Sequence, residues 1–339
     1  MAVYTTIDDP EAYFRVKLYT GNGTDATGIT FDTTDTTMQP DLVWIKNRNS
    51  TNEHNLVNSV VGATKYLHSN LGQTETTAAN SLQSFDSNGF TVGENANFNT
   101  NTNTYVAWCW KESADAGFDI LNYTGNATAD QDHSHSLSAV PHVIIVKNRD
   151  NVNGESWAVY HHKNTAAPET DRLYLNSTGA TGDDIEFWQD TVPTSSVFTV
   201  GRQDTVNTSS GNHLAFLWSE KQGYSKFGSY TGNGDADGVF IYTGFRPAFV
   251  LFKRNQSTND WFMMDNKIHN FNKAEAASKM LRPNLNNAEQ ANNTVDLLSN
   301  GFKARNANDA YNASDSTYVY MAFAEAPFVN SNGVPCNAR

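Results

Sequence analysis

The chain carries the same series of short phrases three times. "LYTGNGTD", "NYTGNATAD" and "SYTGNGDAD" open the three copies, around Tyr19, Tyr123 and Tyr230. An apolar run between a proline and a lysine follows in each copy: "PDLVWIK", "PHVIIVK" and "PAFVLFK". Each copy closes on a related phrase, "TYVAWCWKE", "NHLAFLWSE" or "TYVYMAFAE". This order and spacing predict three copies of one structural unit and disfavour an enzyme with a single active site.

The repeat divides the 339 residues into five segments. We expect an N-terminal arm (1–13), unit 1 (14–113), unit 2 (114–222), unit 3 (223–328) and a C-terminal tail (329–339). The joints "ADAG" and "QG" are too short to act as flexible linkers. The three units are therefore expected to pack on one another.

Short runs rich in Val, Ile, Phe, Tyr and Trp alternate with clusters of Asn, Gly, Ser, Thr and Asp, which is typical of strands joined by turns. "HVIIVK" is apolar on successive residues, which indicates a strand buried on both faces. The sequence predicts an all-β fold of three tandem antiparallel β-sandwich repeats (jelly-roll or lectin-like) of about 105 residues, closely packed. At most one or two short helices are expected, over Asn272–Pro283 and around "SVVGATKYL".

Repeated glycines indicate turns. "GNG" at Gly21–Gly23 and Gly232–Gly234 predicts positive φ after the first strand of a unit. Unit 2 has Ala127 at the last of these positions, so we expect its turn to differ. "SNGF" occurs at Ser87–Phe90 and Ser299–Phe302 and predicts a hairpin at each place.

Charge and cysteine content limit the partners and the compartment. The formal net charge of −13 opposes binding to nucleic acid, because no cluster of Lys and Arg offsets the repulsion. No apolar run approaches the roughly 20 residues of a membrane-spanning helix, so membrane insertion is not expected. The start of the chain has no basic and apolar signal pattern. Cys109 is expected to be a small buried residue, which together with Cys336 predicts no disulfide framework and a reducing cytosol.

Two places contain residues that could bind a metal ion. "GDADG", with Asp235 and Asp237, resembles the first half of a calcium loop, but Arg246 stands where an EF-hand requires Glu. His133 and His135 form an H-x-H pair in what reads as a loop, without a further ligand at zinc spacing. We therefore predict no metal site and no cofactor.

Catalytic motifs are missing from the sequence. It has no G-x-S-x-G, no H-E-x-x-H and no P-loop. Asp183 and Asp184 are adjacent, and in a strand they would face opposite sides, which is unsuitable for a glycosidase pair. A catalytic residue should also break the repeat in one unit only, whereas the visible departures are turn substitutions and loop lengths. No enzymatic activity and no catalytic residues are predicted; the binding residues stay unknown.

Aromatic side chains could stack on sugar rings if they are exposed. Core packing is expected for the tryptophans in the apolar strands: Trp44, Trp108, Trp110 and Trp218. Trp157 and Trp261 occupy similar places in units 2 and 3, with His54 near the equivalent place in unit 1. Trp188 flanks a loop and is the tryptophan expected to be exposed.

Several long phrases resemble a known family: "YTGNG", "PDLVWIKNR", "SFDSNGFTVG", "TYVAWCWK" and "YTGFRPAFVLFKR". They are similar to a domain of uncharacterised function in virion and tail-fibre-like structural proteins of marine bacteriophages. The resemblance extends from about residue 7 to residue 328. It implies a component of the particle: a tail fibre, a receptor-binding part or a head decoration protein.

The first hypothesis is therefore a bacteriophage virion protein, tail-fibre-like, that binds the host surface. The alternatives are a head decoration protein that grips the capsid through residues 1–13 and a carbohydrate-binding module; a polysaccharide-degrading tailspike is the enzyme alternative. The expected partners are other virion proteins, further copies of the chain (a trimer is favoured) and a host-surface glycan. We expect assembly into the virion in the host cytoplasm and release by lysis.

Overall fold

The fold is almost entirely antiparallel β, as the sequence predicts. A computed structural model describes residues 4–32, 36–150, 154–268, 279–291 and 295–336. Two short 3-10 turns, Pro10–Ala12 and Pro168–Thr170, lie outside the sheets. The labels unit 1, unit 2 and unit 3 are kept below for the three segments.

Unit 1 contains a large and a small sheet. Its elements are β1 (Phe14–Thr20), β2 (Thr27–Thr30), β3 (Leu42–Asn47), β4 (Asn55–Asn58), β5 (Lys65–His68), β6 (Thr76–Thr77), β7 (Leu82–Asp86), β8 (Gly89–Val92), α1 (Ala96–Asn99) and β9 (Thr104–Trp110). The strand order β1-β9-β3-β4-β5-β6 forms main sheet 1, and β2-β8-β7 forms outer sheet 1.

Unit 2 repeats this plan. Its elements are β10 (Phe118–Thr124), β11 (Gln131–Ser134), β12 (Val143–Asn148), β13 (Trp157–His161), β14 (Asp171–Tyr174), β15 (Gly182–Asp183), α2 (Ile185–Trp188), β16 (Val197–Val200), α3 (Asp204–Asn207) and β17 (Asn212–Trp218). Main sheet 2 has the order β10-β17-β12-β13-β14-β15, and outer sheet 2 is the pair β11-β16.

Unit 3 has longer central strands. Its elements are β18 (Ser225–Thr231), β19 (Phe240–Tyr242), β20 (Phe245–Arg254), β21 (Trp261–Asp265), β22 (Lys279–Met280), β23 (Gln290–Ala291), β24 (Val295–Leu298), β25 (Gly301–Ala304) and β26 (Thr317–Pro327). Main sheet 3 has the order β18-β26-β20-β21, and β19-β25-β24 form outer sheet 3.

The three main sheets share one strand order. In each, the first strand of the unit pairs with the last, and the last pairs with the strand of the apolar run. All six residues of β12 are buried, which confirms the reading of "HVIIVK" as a strand covered on both faces. The division into three separate domains with the predicted boundaries stays a prediction.

A single central core joins the three units. One face of every main sheet contributes to it, and its largest members come from all three: Trp44, Trp108 and Trp110; Trp157, Phe216 and Trp218; Phe249, Trp261 and Phe323. The predicted close packing is confirmed, and it takes the form of a shared interior. The three antiparallel main sheets therefore surround one common core.

The opposite face of each main sheet packs on its own outer sheet. Strand β9 shows the division, because its residues alternate between the two cores. Trp108 points into the central core, whereas Ala107 and Cys109 belong to the core between main sheet 1 and outer sheet 1. Cys109 is fully buried there, as expected of a small apolar residue.

The helix predictions were partly wrong. The described residues contain three one-turn α-helices instead of at most two. "SVVGATKYL" forms no helix: β5 begins at Lys65, and Tyr66 and Leu67 enter different cores, which requires the alternation of a strand. Most of the other predicted helix, Asn272–Pro283, lies outside the described residues, and its described part contains strand β22.

The turn predictions were correct for the hairpins and wrong for unit 2. "SNGF" forms the β7–β8 and β24–β25 hairpins, in which the Ser-Asn pair makes the loop. Gly89 follows the first loop, where a Cβ atom would lie 2.1 Å from the carbonyl oxygen of Ile29. Ala127 has φ 55°, close to the 68° of Gly23 and the 67° of Gly234, so the turn of unit 2 does not differ as expected.

Residues 4–13 pack against the body of the molecule. Thr5 and Ile7 are buried, and Ile7 belongs to the central core. Asp8 accepts hydrogen bonds from the backbone and hydroxyl of Ser331 in the tail. The described part of the predicted arm is thus fixed to the central core through Ile7 and to the C-terminal tail through Asp8.

A shared core predicts that unit 2 does not fold by itself. Residues 114–222 expressed alone should expose the face that carries Trp157 and Trp218, and should lack the near-ultraviolet circular dichroism of a packed interior. The full chain, as the control, should unfold in urea in one transition. A monomeric fragment with native-like cooperative unfolding would contradict a shared core.

Candidate functional site

The repeated tyrosine and asparagine of "YTGN" are structural. The hydroxyl groups of Tyr19, Tyr123 and Tyr230 each donate to a carbonyl oxygen just before the last strand, at 2.7–2.8 Å. A fully buried asparagine follows that carbonyl in each unit: Asn99, Asn207 or Asn312.

Each buried asparagine bonds the turn of the same unit. Asn99 Oδ1 accepts from the backbone N–H of Asn22 at 2.9 Å, and Asn99 Nδ2 donates to the Thr24 carbonyl oxygen at 2.8 Å. Asn207 does the same with Asn126 and Thr128. These bonds hold the left-handed residue of the turn, which explains why Ala127 can replace glycine.

The lysine that ends each apolar run is also structural. Lys46, Lys147 and Lys253 are fully buried, and burial lowers the pKa of each to about 8. Lys147 Nζ donates to the Gly72 carbonyl oxygen of unit 1 at 3.1 Å, and Lys253 Nζ donates to Thr178 of unit 2 at 3.3 Å. These two lysines therefore link neighbouring units.

The units meet at three junctions related by the repeat. At each one, a backbone N–H donates to the carbonyl oxygen of the residue two positions after the buried lysine: Glu75 to Arg149, Thr181 to Asn255 and Glu289 to Arg48. Unit 1 thus meets unit 2, unit 2 meets unit 3, and unit 3 meets unit 1. The junctions close a ring around the central core.

Two junctions carry an ion pair and the third does not. Arg149 Nε lies 2.8 Å from a carboxylate oxygen of Glu75, and Arg48 Nε lies 2.7 Å from one of Glu289. Between units 2 and 3 the matching residues are Asn255 and Thr181, which are neutral. A cleft of about 520 Å³ lies at this place.

We call this cleft the junction cleft. The structure describes its lining as Lys163, Asn164, Thr165, Ala166, Ala180 and Thr181 from unit 2, and Ser229, Asn255, Gln256 and Thr317 from unit 3. Hydrogen bonds fix its floor, since Asn255 Nδ2 donates to the backbone of Asn164 and Thr181 Oγ1 donates to Asn164 Oδ1 at 2.8 Å. At the junction cleft, neutral residues stand where the other two junctions have an ion pair.

A second cleft, of about 570 Å³, lies where the two ends of the chain meet unit 3. We call it the terminal cleft. Tyr4 and Tyr242, 56% and 60% exposed, line it together with the Lys226–Glu220 ion pair. These tyrosines are aromatic side chains that a ligand can reach.

The predicted absence of a metal site stays a prediction, and the candidate residues have other contacts. Within the described residues, no three His, Cys, Asp or Glu side chains come together as a metal site would require. Asp237 pairs with Lys303 at 2.6 Å, and Asp235 accepts from the backbone of Asp237. His133 lies in strand β11, which was expected to be a loop, and its ring packs 3.8 Å from that of Tyr123.

Carboxylates come together where the sequence gave no signal. The adjacent Asp183 and Asp184 do not form such a group: Asp183 lies in β15, whereas Asp184 caps α2 by accepting from the backbone of Glu186. Glu112 lies near Asp119 and Asp41 at the joint between units 1 and 2. Burial, and then the two neighbouring carboxylates, raise the pKa of Glu112 to about 7.

All seven tryptophans are buried. The expected exposure of Trp188 was wrong: Trp188 ends α2, packs in the core of unit 2 and donates from Nε1 to the Asp171 carbonyl oxygen at 3.0 Å. Trp157 and Trp261 do lie at equivalent places, each beside the buried lysine of its unit and each donating to a neighbouring unit. Tryptophan therefore offers no sugar-stacking surface.

Sequence reasoning missed both clefts. A signal for the junction cleft was present, because "IKNR" and "VKNR" of units 1 and 2 become "FKRN" in unit 3. The partner position, where Thr181 stands in place of a glutamate, could not be recognised, since it lies in loops of different length.

Comparison with known proteins gives one match. The profile of a family described as a domain of unknown function (DUF7483) matches residues 9–327. No curated protein and no solved structure matches the chain. In the described residues, no helix has the length and apolar character needed to span a membrane.

The buried asparagines can be tested with a control two residues away. Asn99→Ala should lower the free energy of unfolding by about 1–2 kcal/mol, because it removes the buried amide that makes two hydrogen bonds to the backbone of the turn. Asn101→Ala, at an exposed position, should change it by less than about 0.5 kcal/mol. Urea unfolding measures both; equal effects would refute the structural role.

The buried histidine His161 should make unit 2 sensitive to acid. Nδ1 accepts from the backbone N–H of Lys163 and Nε2–H donates to Tyr320, so the bonds require the neutral ring. Burial lowers the pKa of His161 to about 3. Because the unfolded chain binds a proton near pH 6.5 and the folded chain does not, stability is lost as the pH falls below 6.5.

His161→Gln should remove this part of the pH dependence. From pH 6.5 to pH 5.0, the free energy of unfolding of the variant should fall by about 2 kcal/mol less than that of the unchanged protein. Urea titrations at the two pH values measure the difference. Parallel losses in the two proteins would show that His161 is not kept neutral by the fold.

Proposed function

The chain belongs to the DUF7483 family, a domain of unknown function, and we propose that it is a rigid, tail-fibre-like structural protein of a bacteriophage particle that contacts the host surface. The resemblance of its repeated phrases to tail-fibre-like virion proteins supports this role. The proposal includes no enzymatic activity.

The shared central core is the observation that carries the proposal. Three main sheets bury one face each in the same interior, so no unit can move without disturbing the other two. A part of a particle that transmits or resists force needs this kind of stiffness. The residues that recur in all three units are used for packing and for bonding turns and junctions, which suits a protein whose task is to keep a shape.

The arrangement of the units bears on the expected trimer. A homotrimer remains part of the proposal, because fibres are commonly built around a symmetry axis. One chain already places three sheets around a core, however, and so can match a threefold partner by itself. The mass of the purified protein in solution distinguishes one copy from three.

The packing of residues 4–13 bears on the head decoration alternative. That hypothesis used residues 1–13 as a free grip for the capsid, whereas Ile7 is buried in the central core and Asp8 is bonded to Ser331. The observation favours a role in which other surfaces make the contacts. Carbohydrate binding is compatible with the first hypothesis, since a host-surface glycan is a receptor of the expected kind.

Purified particles test the proposed role. Quantitative mass spectrometry should find the protein in virions at a few to tens of copies, as expected of a fibre, whereas hundreds of copies would indicate a head or tail-tube position. Host cells first incubated with folded protein should adsorb fewer phages, and urea-unfolded protein is the control. Absence from virions together with unchanged adsorption would exclude the proposed function.

A further inference from the structure

We propose that the junction cleft is a binding site for a saccharide that carries a carboxylate. The inference rests on the proposed function, of which it names the contact site and the chemical class of the ligand.

The junction cleft departs from the other two junctions in its side chains but not in its backbone. The backbone hydrogen bond of the junction is retained there, between Thr181 and Asn255, at 2.8 Å. The side chains at the same two positions form ion pairs in the other junctions. The scaffold is thus unchanged, while the groups that would fill and neutralise the space are replaced by shorter, neutral ones.

The junction cleft is rich in hydrogen-bonding groups. Amides and hydroxyls dominate the lining, and several of them are held in place: Thr317 Oγ1 donates to Asn255 Oδ1 at 2.5 Å, and Gln256 Oε1 accepts from the backbone of Thr317 at 3.2 Å. Ser229 and Gln256 are exposed. Preorganised neutral donors and acceptors suit the hydroxyl groups of a sugar, and the volume lies within the range of small-ligand sites.

The junction cleft carries a positive charge. Of the lining residues that the structure describes, Lys163 alone is charged, in a chain whose formal net charge is −13. Lys163 is exposed, and within the described part of the chain it makes no ion pair. An unpaired ammonium beside sugar-binding amides predicts a uronic-acid type of saccharide, whose carboxylate Lys163 would pair.

The other cleft has a different chemistry. The terminal cleft offers exposed Tyr4 and Tyr242 for stacking, but its lysine, Lys226, already pairs with Glu220. It would suit a neutral sugar better than an acidic one. A preference for neutral over acidic saccharides would therefore indicate binding at the terminal cleft and not at the junction cleft.

The test measures the binding of purified protein to a panel of uronic-acid oligosaccharides and matched neutral oligosaccharides, followed by calorimetric titration of the best ligand. The unchanged protein should prefer the acidic series. Lys163→Ala, at an exposed position that folding does not need, should weaken acidic-saccharide binding at least about 10-fold, the effect expected for one charge-assisted bond. Lys111→Ala in unit 1 is the charge-matched control and should change nothing.

A double variant introduces into the junction cleft the arginine and glutamate that form an ion pair at the other two junctions. Thr181→Glu with Asn255→Arg should abolish binding, and a cooperative urea transition should show that the variant still folds without the floor bonds of Asn255 and Thr181. Tyr4→Ala with Tyr242→Ala should leave binding intact. The inference is overturned if no acidic saccharide binds, if binding survives both cleft variants, or if it is lost only in the tyrosine variant.

Adsorption separates this inference from the function on which it rests. If folded protein blocks phage adsorption and Lys163→Ala and the double variant block it equally well, the junction cleft is not the contact site although the role as a host-binding component stands. If unchanged protein neither blocks adsorption nor occurs in virions, the proposed function itself is wrong, whatever saccharide the cleft binds.

Discussion

The whole molecule depends on the burial of both faces of its three main sheets. Each central strand is apolar on successive residues, so each main sheet needs a cover on both faces, and a small outer sheet in the same unit covers one of them. The uncovered faces cover one another, and a single core with members from all three units results. This explains why the joints between units are so short: the core, not a linker, sets the distance between them.

Apolar packing in the shared core does not by itself fix how the edges of neighbouring sheets are aligned. Buried polar groups fix this alignment. Lys147 and Lys253 carry an ammonium group into an interior that lowers its pKa, which costs free energy unless oxygen atoms surround it. Both donate to carbonyl oxygens of their own turn and of the preceding unit. An apolar side chain at this place could pack but could not specify one register between two units. The junctions thus explain the lysine that ends the apolar run in units 2 and 3.

The sequence predicted the features that depend on residues close together in the chain. Alternation and Asn-Gly pairs act within a few residues, and the strands and hairpins they predict are present. The failures came from contacts that are distant in the chain. Trp188 is next to a loop in the sequence, yet its side chain packs in the core of unit 2. The turn at Ala127 keeps the same conformation because Asn207, 80 residues away in the chain, makes a hydrogen bond to it. The clefts depend on pairings between units, and no pattern within one unit contains them.

The pseudo-symmetry gives a way to separate structure from function in a chain such as this one. A residue that recurs in all three units, such as the buried asparagine or lysine, is explained when it bonds the same partner each time. A departure in one unit is different, because the other two junctions have an arginine–glutamate ion pair at the same positions, so the fold can accommodate that pair. At the junction of units 2 and 3 the fold retains the backbone contact and gives up the ion pair. The two ion pairs are largely buried, so the cost of removing both charges from water offsets much of their attraction. Replacing both partners together therefore costs little stability, and the space that this frees can serve recognition. Specificity is therefore expected where the repeat is broken at least cost to the core.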